Sequence, residues 1–243
     1  MIFAAVIPAR YASTRFPGKP LALLQGKTII QHVFERVKAS GLFQDVIVAT
    51  DDDRIAQVVQ SFGGKCQMTS PNHQSGSDRI AEVIRDLDCD VIFNVQGDEP
   101  MIETEPLAKL KAVFSNPEVL AASLMSPFSD SKVLHDINAV KVVIDNNMNA
   151  LYFSRSPIPH DRDGSGDFTY FRHIGVYAYR KKTLLDFITL PPGKLEQTEK
   201  LEQLRLLEND IPIRMVETAY QGIGIDTPED LIRVEKLLSG PLS

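Results

Sequence analysis

The first half of the chain repeats a rhythm in which a short apolar strand is followed by an amphipathic helix. Apolar runs at 1–7, 45–50, 65–69 and 90–95 predict buried strands. Each run is followed by a segment whose apolar residues recur at helical spacing. Thr28 can cap the helix after the first run, and Ser77 or Asp78 is predicted to open the helix after the third. Strands that alternate with helices pair side by side in a parallel sheet and carry the helices on its faces. The sequence therefore predicts an α/β fold with a doubly wound, mostly parallel sheet.

The rhythm changes after about residue 119, where strands outnumber helices. We predict five strands and two helices there: strands 119–125, 139–145, 150–153, 174–179 and 213–217, and helices 196–208 and 228–238. The segment 156–169 contains two prolines and two glycines, which predict a loop. A chain of 243 residues is short for two separate domains. We therefore expect one domain, 1–243, with a strand-rich insertion at about 126–190.

Charge and cysteine content exclude several classes of function. The net charge of -6 argues against a general nucleic-acid surface, because such surfaces are basic. Cys66 and Cys89 show neither the spacing of a metal site nor that of a disulfide framework. No apolar run approaches the length of a membrane span. We therefore expect a cytoplasmic enzyme that binds no nucleic acid and does not insert into a membrane.

A loop with three cations follows the first predicted strand, and we refer to residues 10–19 as the cation loop. It carries Arg10, Arg15 and Lys19. The carboxyl end of a first strand is where an open α/β sheet binds an anionic ligand, and three cations suit a polyphosphate. A Walker A loop is excluded, because Ser13 and Pro20 stand where that motif requires Gly and then Ser or Thr. The remaining alternative is a solvated, basic surface loop.

Two aspartates are candidate metal ligands. Asp98 follows the predicted strand 90–95 closely, so that it lies at the ligand edge of the sheet, where a carboxylate can hold a Mg²⁺ that bridges nucleotide phosphates. Asp226 comes just before the closing helix, which Thr227 can cap. Each has an ordinary structural alternative: Asp98 can organise the turn before Pro100, and Asp226 can begin a helix.

Seven blocks of sequence resemble one enzyme family, the CMP-Kdo synthetases, also described as 3-deoxy-manno-octulosonate cytidylyltransferases. The most specific is the cation loop with its flanks, Pro-Ala-Arg-Tyr-Ala-Ser-Thr-Arg-Phe-Pro-Gly-Lys-Pro. The blocks follow the family's order along nearly the whole chain: 5–21, 73–79, 94–100, 138–143, 151–155, 172–177 and 224–230.

This resemblance implies a Rossmann-like nucleotide-diphospho-sugar transferase fold. It also implies a nucleotidyltransferase that joins CTP to a 3-deoxy-2-ulosonic acid, releasing pyrophosphate, for lipopolysaccharide biosynthesis. Mg²⁺ would be the cofactor. The strand-rich insertion would supply the interface of a homodimer.

The resemblance also implies roles for particular residues. Those implied to be catalytic are Arg10, Arg15, Lys19, Asp98 and Asp226, of which Asp98 and Asp226 hold the metal. Those implied to bind the nucleotide are Arg10, Ser13, Arg15, Lys19, Ser75, Gly76 and Arg79. Those implied to bind the acceptor sugar are Gln96, Arg155, His173, Tyr177, Glu199, Glu202 and Gln203. Arg155 has the planar guanidinium that suits a sugar carboxylate, and the spacing of Glu199 and Glu202 predicts that they share one helix face.

One position departs from the family's pattern, and two alternatives to the predicted activity remain open. His160 stands where many members carry an aromatic residue. This difference makes a variant sugar, such as the 8-amino analogue of Kdo, an alternative substrate. A sialic acid cytidylyltransferase would carry a different pattern in its first loop. A catalytically silent nucleotide-sugar binding module would not need both Asp98 and Asp226.

Overall fold

The structure is a computed structural model that describes residues 1–12, 15–164, 166 and 168–239. Its strands in chain order are β1 (Phe3–Ala9), β2 (Leu23–Leu24), β3 (Lys27–Thr28), β4 (Asp45–Thr50), β5 (Lys65–Met68), β6 (Val91–Asn94), β7 (Ala121–Phe128), β8 (Lys141–Ile144), β9 (Ala150–Ser154), β10 (Tyr170–Arg180) and β11 (Ile213–Glu217). Its α-helices are α1 (Ile29–Ala39), α2 (Asp53–Ser61), α3 (Gly76–Ile84), α4 (Thr104–Ala112), α5 (Ser131–His135), α6 (Lys181–Phe187), α7 (Lys194–Glu199), α8 (Leu204–Leu207) and α9 (Pro228–Ser239). Single 3₁₀ turns occur at Lys19–Leu21 and Val113–Ser115.

The chain divides into two compact units. One consists of Met1–Thr104 together with Gly222–Ser243, and the other is Glu105–Gln221. The predicted insertion at 126–190 lies inside the second unit, which extends beyond it on both sides. The second unit is thus inserted between two segments that build the first.

The first unit contains the parallel sheet that the strand–helix rhythm predicts. Its strands lie in the order β6, β1, β4, β5, and every neighbouring pair is parallel. Ala5 of β1 pairs with Val46 on one side and with Phe93 on the other. Because β1 is central, nearly all of its side chains are buried, which explains its continuous apolar sequence. The prediction of a mostly parallel α/β fold is confirmed.

The closing segment of the chain returns to the first unit. Ile225 and Val234 pack in one buried cluster with Leu24 and Ile29. Thr227 caps α9 as predicted: its hydroxyl accepts from the amide of Asp230 at 3.2 Å, and the Asp230 carboxylate accepts from the amides of Asp226 and Thr227, at 3.1 and 3.0 Å. This packing brings the segment around α9 into contact with residues near the beginning of the chain, although the two are far apart in sequence.

The second unit is strand-rich, as the sequence predicts. Among its strands, β7 pairs in parallel with β11 and antiparallel with β10. The strand β8 then pairs antiparallel with both β10 and β9. The loop predicted at 156–169 lies between β9 and β10.

Two predicted helix boundaries were wrong. The predicted helix 196–208 is broken, because Lys200 adopts a left-handed backbone with φ +56° and ends α7. Glu199 therefore closes α7 while Glu202 lies in the turn before α8, so the two do not share a helix face. The helix predicted to open at Ser77 or Asp78 is α3, and its cap is Ser75. The Ser75 hydroxyl accepts from the amide of Asp78, and the Asp78 carboxylate accepts from the amide of Ser75.

None of the helices in the described residues is both long enough and apolar enough to cross a membrane.

Candidate functional site

The carboxyl ends of β1 and β6 place the cation loop beside Asp98. The two strands are parallel neighbours, so the residues that follow them lie at the same edge of the sheet. An open cavity of about 350 Å³ lies at this edge. Its lining includes six of the predicted site residues: Arg10, Arg15, Lys19, Gln96, Asp98 and Asp226.

Asp226 reaches this edge through a backbone hydrogen bond. The amide of Ile225 donates to the carbonyl oxygen of Asp98 at 2.9 Å, which fastens the segment before α9 to the turn after β6. Asp226 follows directly. Asp98 and Asp226, which the family resemblance implies hold one metal, thus lie at the same edge of the sheet.

Lys19 lies between the two aspartates. Its Nζ donates to Asp98 Oδ2 at 2.6 Å and to Asp226 Oδ1 at 3.1 Å. The guanidinium of Arg15 lies 3.2 Å from Asp226 Oδ2. Burial alone would lower the pKa of Lys19, but the carboxylates of Asp98 and then Asp226 more than offset this, so its pKa lies above the ordinary value. Lys19 is therefore held as a cation at the edge of the cavity.

Arg10 braces two loops of the site. Its Nη2 donates to the carbonyl oxygens of His73 and Ser75, at 2.8 and 2.9 Å. The cation loop is thus tied to the start of α3, where Ser75 and Gly76 lie. From the sequence, Arg10 is predicted to contact an anion. Nothing in the sequence pattern indicates that it donates to backbone carbonyl oxygens.

Arg79 is a buried member of the same region. Its Nη1 donates to the Thr69 hydroxyl, and its Nη2 lies 3.0 Å from the Asp51 carboxylate. Asp51 and Thr69 follow directly after β4 and β5, so Arg79 holds α3 against the ends of two strands. Its predicted contact with the nucleotide stays a prediction. Ser13, also predicted to bind the nucleotide, lies outside the described residues.

Gly97 permits the close approach of the turn after β6 to the end of β1. A Cβ at this position would lie 2.9 Å from the carbonyl oxygen of Pro8, a distance that real Cβ atoms essentially never show. Because that oxygen belongs to the backbone of a central strand, it has little freedom to move aside.

We expect Gly97→Ala to lower the free energy of unfolding by about 1–3 kcal/mol, as overpacking of a well-packed region does, and to displace Asp98. Denaturant unfolding measures the first effect, and turnover measures the second. Gly224→Ala is the matched control for stability, since the nearest atom to its added Cβ lies 4.0 Å away. Equal stability of the two variants would contradict the expectation.

The residues predicted to bind the sugar fall in both units. Gln96 lies in the first unit and its side-chain amide donates to Asn94 Oδ1 at 2.8 Å. The other six lie in the second unit.

Arg155 and Glu199 each form hydrogen bonds with the segment that contains the other residue. The Nε of Arg155 donates to the carbonyl oxygen of Glu199 at 2.8 Å, and its Nη1 donates to that of Ile137 at 2.9 Å. The Glu199 carboxylate accepts from the Ser154 hydroxyl at 2.6 Å and from the Arg155 amide at 3.0 Å. The two residues therefore hold the end of β9 to the end of α7. Capture of a sugar carboxylate by Arg155 stays a prediction.

His173 and Tyr177 form an aromatic pair on β10, with ring centroids 5.2 Å apart. The His173 Nε2 lies 2.9 Å from the Ser123 hydroxyl. Burial, with a smaller contribution from the neighbouring Arg172, lowers the pKa of His173 to about 3. The imidazole is thus neutral at physiological pH, and it serves as a hydrogen-bonding group rather than a cation. Burial raises the pKa of Tyr177 well above its ordinary value, so its hydroxyl keeps its proton.

Glu202 and Gln203 occupy the turn that leads into α8. Glu202 lies 3.9 Å from the guanidinium of Arg205, and Gln203 is buried. Their predicted contacts with the sugar stay predictions.

Lys141, a buried lysine in the second unit, was not among the predicted site residues. The Nζ of Lys141 donates to the carbonyl oxygens of Asp136 and Arg155, at 2.9 and 2.5 Å. Burial lowers its pKa. The sequence held one signal, since Lys141 stands in a run of apolar residues at a position where a strand buries its side chains.

The chain is similar to known proteins over nearly its whole length. Residues 4–215 match the family model described as cytidylyltransferase. The 3-deoxy-manno-octulosonate cytidylyltransferase of Syntrophotalea carbinolica is 51% identical, over 99% of this chain and 100% of that protein. The enzyme of the same name from Flavobacterium johnsoniae is 51% identical, over 98% of this chain and 99% of that protein.

A solved structure of CMP:2-keto-3-deoxy-manno-octonic acid synthetase complexed with CTP superimposes with a TM-score of 0.95. It is 44% identical in sequence, and the match covers all of both chains. The predicted family and the predicted fold are both confirmed. The chain belongs to the 3-deoxy-manno-octulosonate cytidylyltransferases.

Proposed function

We propose that this protein joins CTP to a 3-deoxy-2-ulosonic acid, Kdo or a close variant such as 8-amino-Kdo, to give the CMP-sugar and pyrophosphate. The observation that carries the proposal is the convergence of Lys19 and Arg15 on Asp98 and Asp226 at the cavity beyond β1. The solved structure with a TM-score of 0.95 was described with CTP, which supports the choice of nucleotide. The names of the relatives support the choice of sugar.

In the proposed reaction the anomeric hydroxyl of the sugar attacks the α-phosphorus of CTP in line with the departing pyrophosphate. The protein contributes mainly by positioning and by stabilising charge, as in phosphoryl transfer generally. Arg15 and Lys19 hold the triphosphate oxygens and stabilise the leaving group. Arg10 keeps the cation loop against the start of α3 through its two bonds to carbonyls. No covalent nucleophile takes part.

The two aspartates fit a magnesium ion. They present oxygen ligands to one point, since a single ammonium group bonds to both. Across residues 1–12, 15–164, 166 and 168–239, no cluster of three or more His, Cys, Asp or Glu side chains is placed to hold a metal. A pair of carboxylates still suits Mg²⁺, which binds through one or two carboxylates and keeps water and substrate phosphates as its other ligands. When bound, Mg²⁺ would neutralise phosphate charge and activate the α-phosphate and the attacking oxygen.

The acceptor sugar would contact Gln96, Arg155, His173, Tyr177, Glu199, Glu202 and Gln203, as the family resemblance implies. The neutral state of His173 suits it to hydrogen-bond a hydroxyl of the sugar. The resemblance also supports a homodimer formed through the strand-rich insertion, a cytoplasmic location and a role in lipopolysaccharide biosynthesis.

Pyrophosphate release tests the proposal. With Kdo, CTP and Mg²⁺ present, we expect steady release, and we expect none when the sugar is left out or when excess chelator is added. Replacing Kdo with a sialic acid tests the nearest alternative enzyme. Release with sialic acid alone, or CTP binding without turnover on any sugar acid, would overturn the proposal.

His160 offers a test of sugar preference. Its side chain is exposed in the loop between β9 and β10. If it contacts the tail of the sugar, His160→Trp should shift the product ratio when Kdo and 8-amino-Kdo compete for limiting CTP. His135→Trp, at an exposed position on α5, controls for the added tryptophan. An unchanged ratio would show that position 160 does not select the sugar.

A further inference from the structure

Arg54, at the start of α2, stacks on an aromatic ring of the cation loop. The central carbon of its guanidinium lies 3.3 Å from the centroid of the Tyr11 ring. A planar guanidinium over an aromatic face combines a cation–π attraction with stacking. Arg54 belongs to none of the sequence blocks that carry the family resemblance, and it is not among the residues that the proposed reaction uses.

Asp52 fixes the orientation of that guanidinium. Its Oδ1 accepts from Arg54 Nε at 3.0 Å and its Oδ2 accepts from Arg54 Nη2 at 2.6 Å, so the pair is bidentate. Asp52 also caps α2 by accepting from the Arg54 amide at 3.0 Å. The pKa of Asp52 is lowered, chiefly by its side-chain hydrogen bond with Arg54. The guanidinium plane is therefore anchored beside the end of β4, although the Arg54 side chain is 57% exposed.

Tyr11 in turn contacts Gly18 near the other end of the cation loop. Its carbonyl oxygen accepts from the amide of Gly18 at 2.9 Å. Gly18 has φ +71°, and a Cβ there would lie 3.1 Å from the Tyr11 ring, so the ring rests directly on this glycine. Lys19 is the next residue. The position of the Tyr11 ring thus fixes the backbone position from which the Lys19 side chain extends.

We propose that Arg54 is a positioning residue for the nucleotide: by stacking on Tyr11, it holds the cation loop in the form in which Lys19 meets the phosphates. This inference rests on the proposed use of CTP. It predicts a loss of affinity for the nucleotide with no loss of affinity for the sugar. A surface charge that merely attracted the anionic nucleotide would behave differently, because any cation at position 54 would then serve.

The experiment measures CTP binding by calorimetry without sugar, and then the Michaelis constants for CTP and Kdo, for four variants and one control. Arg54→Met removes the charge and the stacking plane. Arg54→Lys keeps the charge but neither stacks as a plane nor pairs bidentately with Asp52. Tyr11→Leu removes the ring, with and without Arg54→Met. Arg85→Met, at an exposed position at the end of α3, is the control for net charge.

We expect Arg54→Met to weaken CTP binding by about two- to fivefold, the range that an exposed cation–π pair gives, and Arg54→Lys to do nearly the same. The Michaelis constant for Kdo should stay unchanged, and Arg85→Met should bind CTP like the parent. In the Tyr11→Leu background, Arg54→Met should have no further effect, because the two residues act through one contact.

Three results would overturn the inference: unchanged CTP binding in Arg54→Met, full rescue by Arg54→Lys, or an equal further loss in the Tyr11→Leu background. Failure of the parent protein to bind CTP would instead overturn the proposed function, and this inference with it.

Discussion

Asp98→Asn and Asp226→Asn are each expected to remove most of the turnover, and the double variant is expected to be little slower than either one. The two carboxylates converge on the same ammonium group and would share one metal ion. Residues that act as a unit are strongly non-additive in mutant kinetics. We expect each single loss to be on the order of a hundredfold or more, the size seen when one preorganised electrostatic group of a transition state is removed.

Single-turnover rates of the four forms, at saturating CTP and Kdo over a range of Mg²⁺ concentrations, measure this coupling. Asp86→Asn is the matched control, because Asp86 is exposed near the end of α3 and outside the site. Losses that multiply in the double variant, or a parent enzyme that stays active in excess chelator, would contradict a shared metal site.

Lys19→Met is expected to weaken CTP binding far more than sugar binding. Its side chain is only 13% exposed, and hydrogen bonds to charged groups contribute about 1.5–3 kcal/mol each. The Michaelis constant for CTP should therefore rise by roughly 10- to 150-fold, by the same arithmetic. Arg15→Ala should follow the same direction with a smaller effect, because the Arg15 side chain is 60% exposed and solvent screens it.

Initial rates with each substrate varied in turn separate the two Michaelis constants. Lys27→Met is the control, since Lys27 lies in the same unit, is half-exposed and pairs with Glu35 away from the cavity. A normal Michaelis constant for CTP in Lys19→Met, or an equal rise for both substrates, would remove the assignment of Lys19 to the triphosphate.

The parts of the fold that could be predicted are those where local pattern and burial agree. β4 and β11 occur at the predicted residues, because each is a short segment rich in apolar residues that the sheet buries. Thr28 caps α1 as expected, its hydroxyl accepting from the Gln31 amide at 3.4 Å. The position of Asp98 also followed from its sequence, because residues just beyond a buried parallel strand lie at the ligand edge.

The parts that could not be predicted depend on contacts between segments far apart in sequence. The break at Lys200 has no local signal such as a glycine, and it places Glu199 where its carboxylate meets Ser154 and the Arg155 amide. Arg79, implied to bind the nucleotide, is buried, with the Thr69 hydroxyl and the Asp51 carboxylate as its partners. Spacing alone carries no information about such partners.

The construction of the first unit from both ends of the chain has a consequence for synthesis on the ribosome. Lys19 and Asp226 are separated by 207 positions, and the cluster around Leu24 and Ile29 is completed only by Ile225 and Val234. Contacts of such long range form late, because the chain must close a large loop before they contribute. A nascent chain that has not yet emerged as far as α9 therefore carries Leu24 and Ile29 without the residues that complete their cluster. Until α9 docks, we expect this intermediate to be the form most prone to aggregation and most dependent on chaperones.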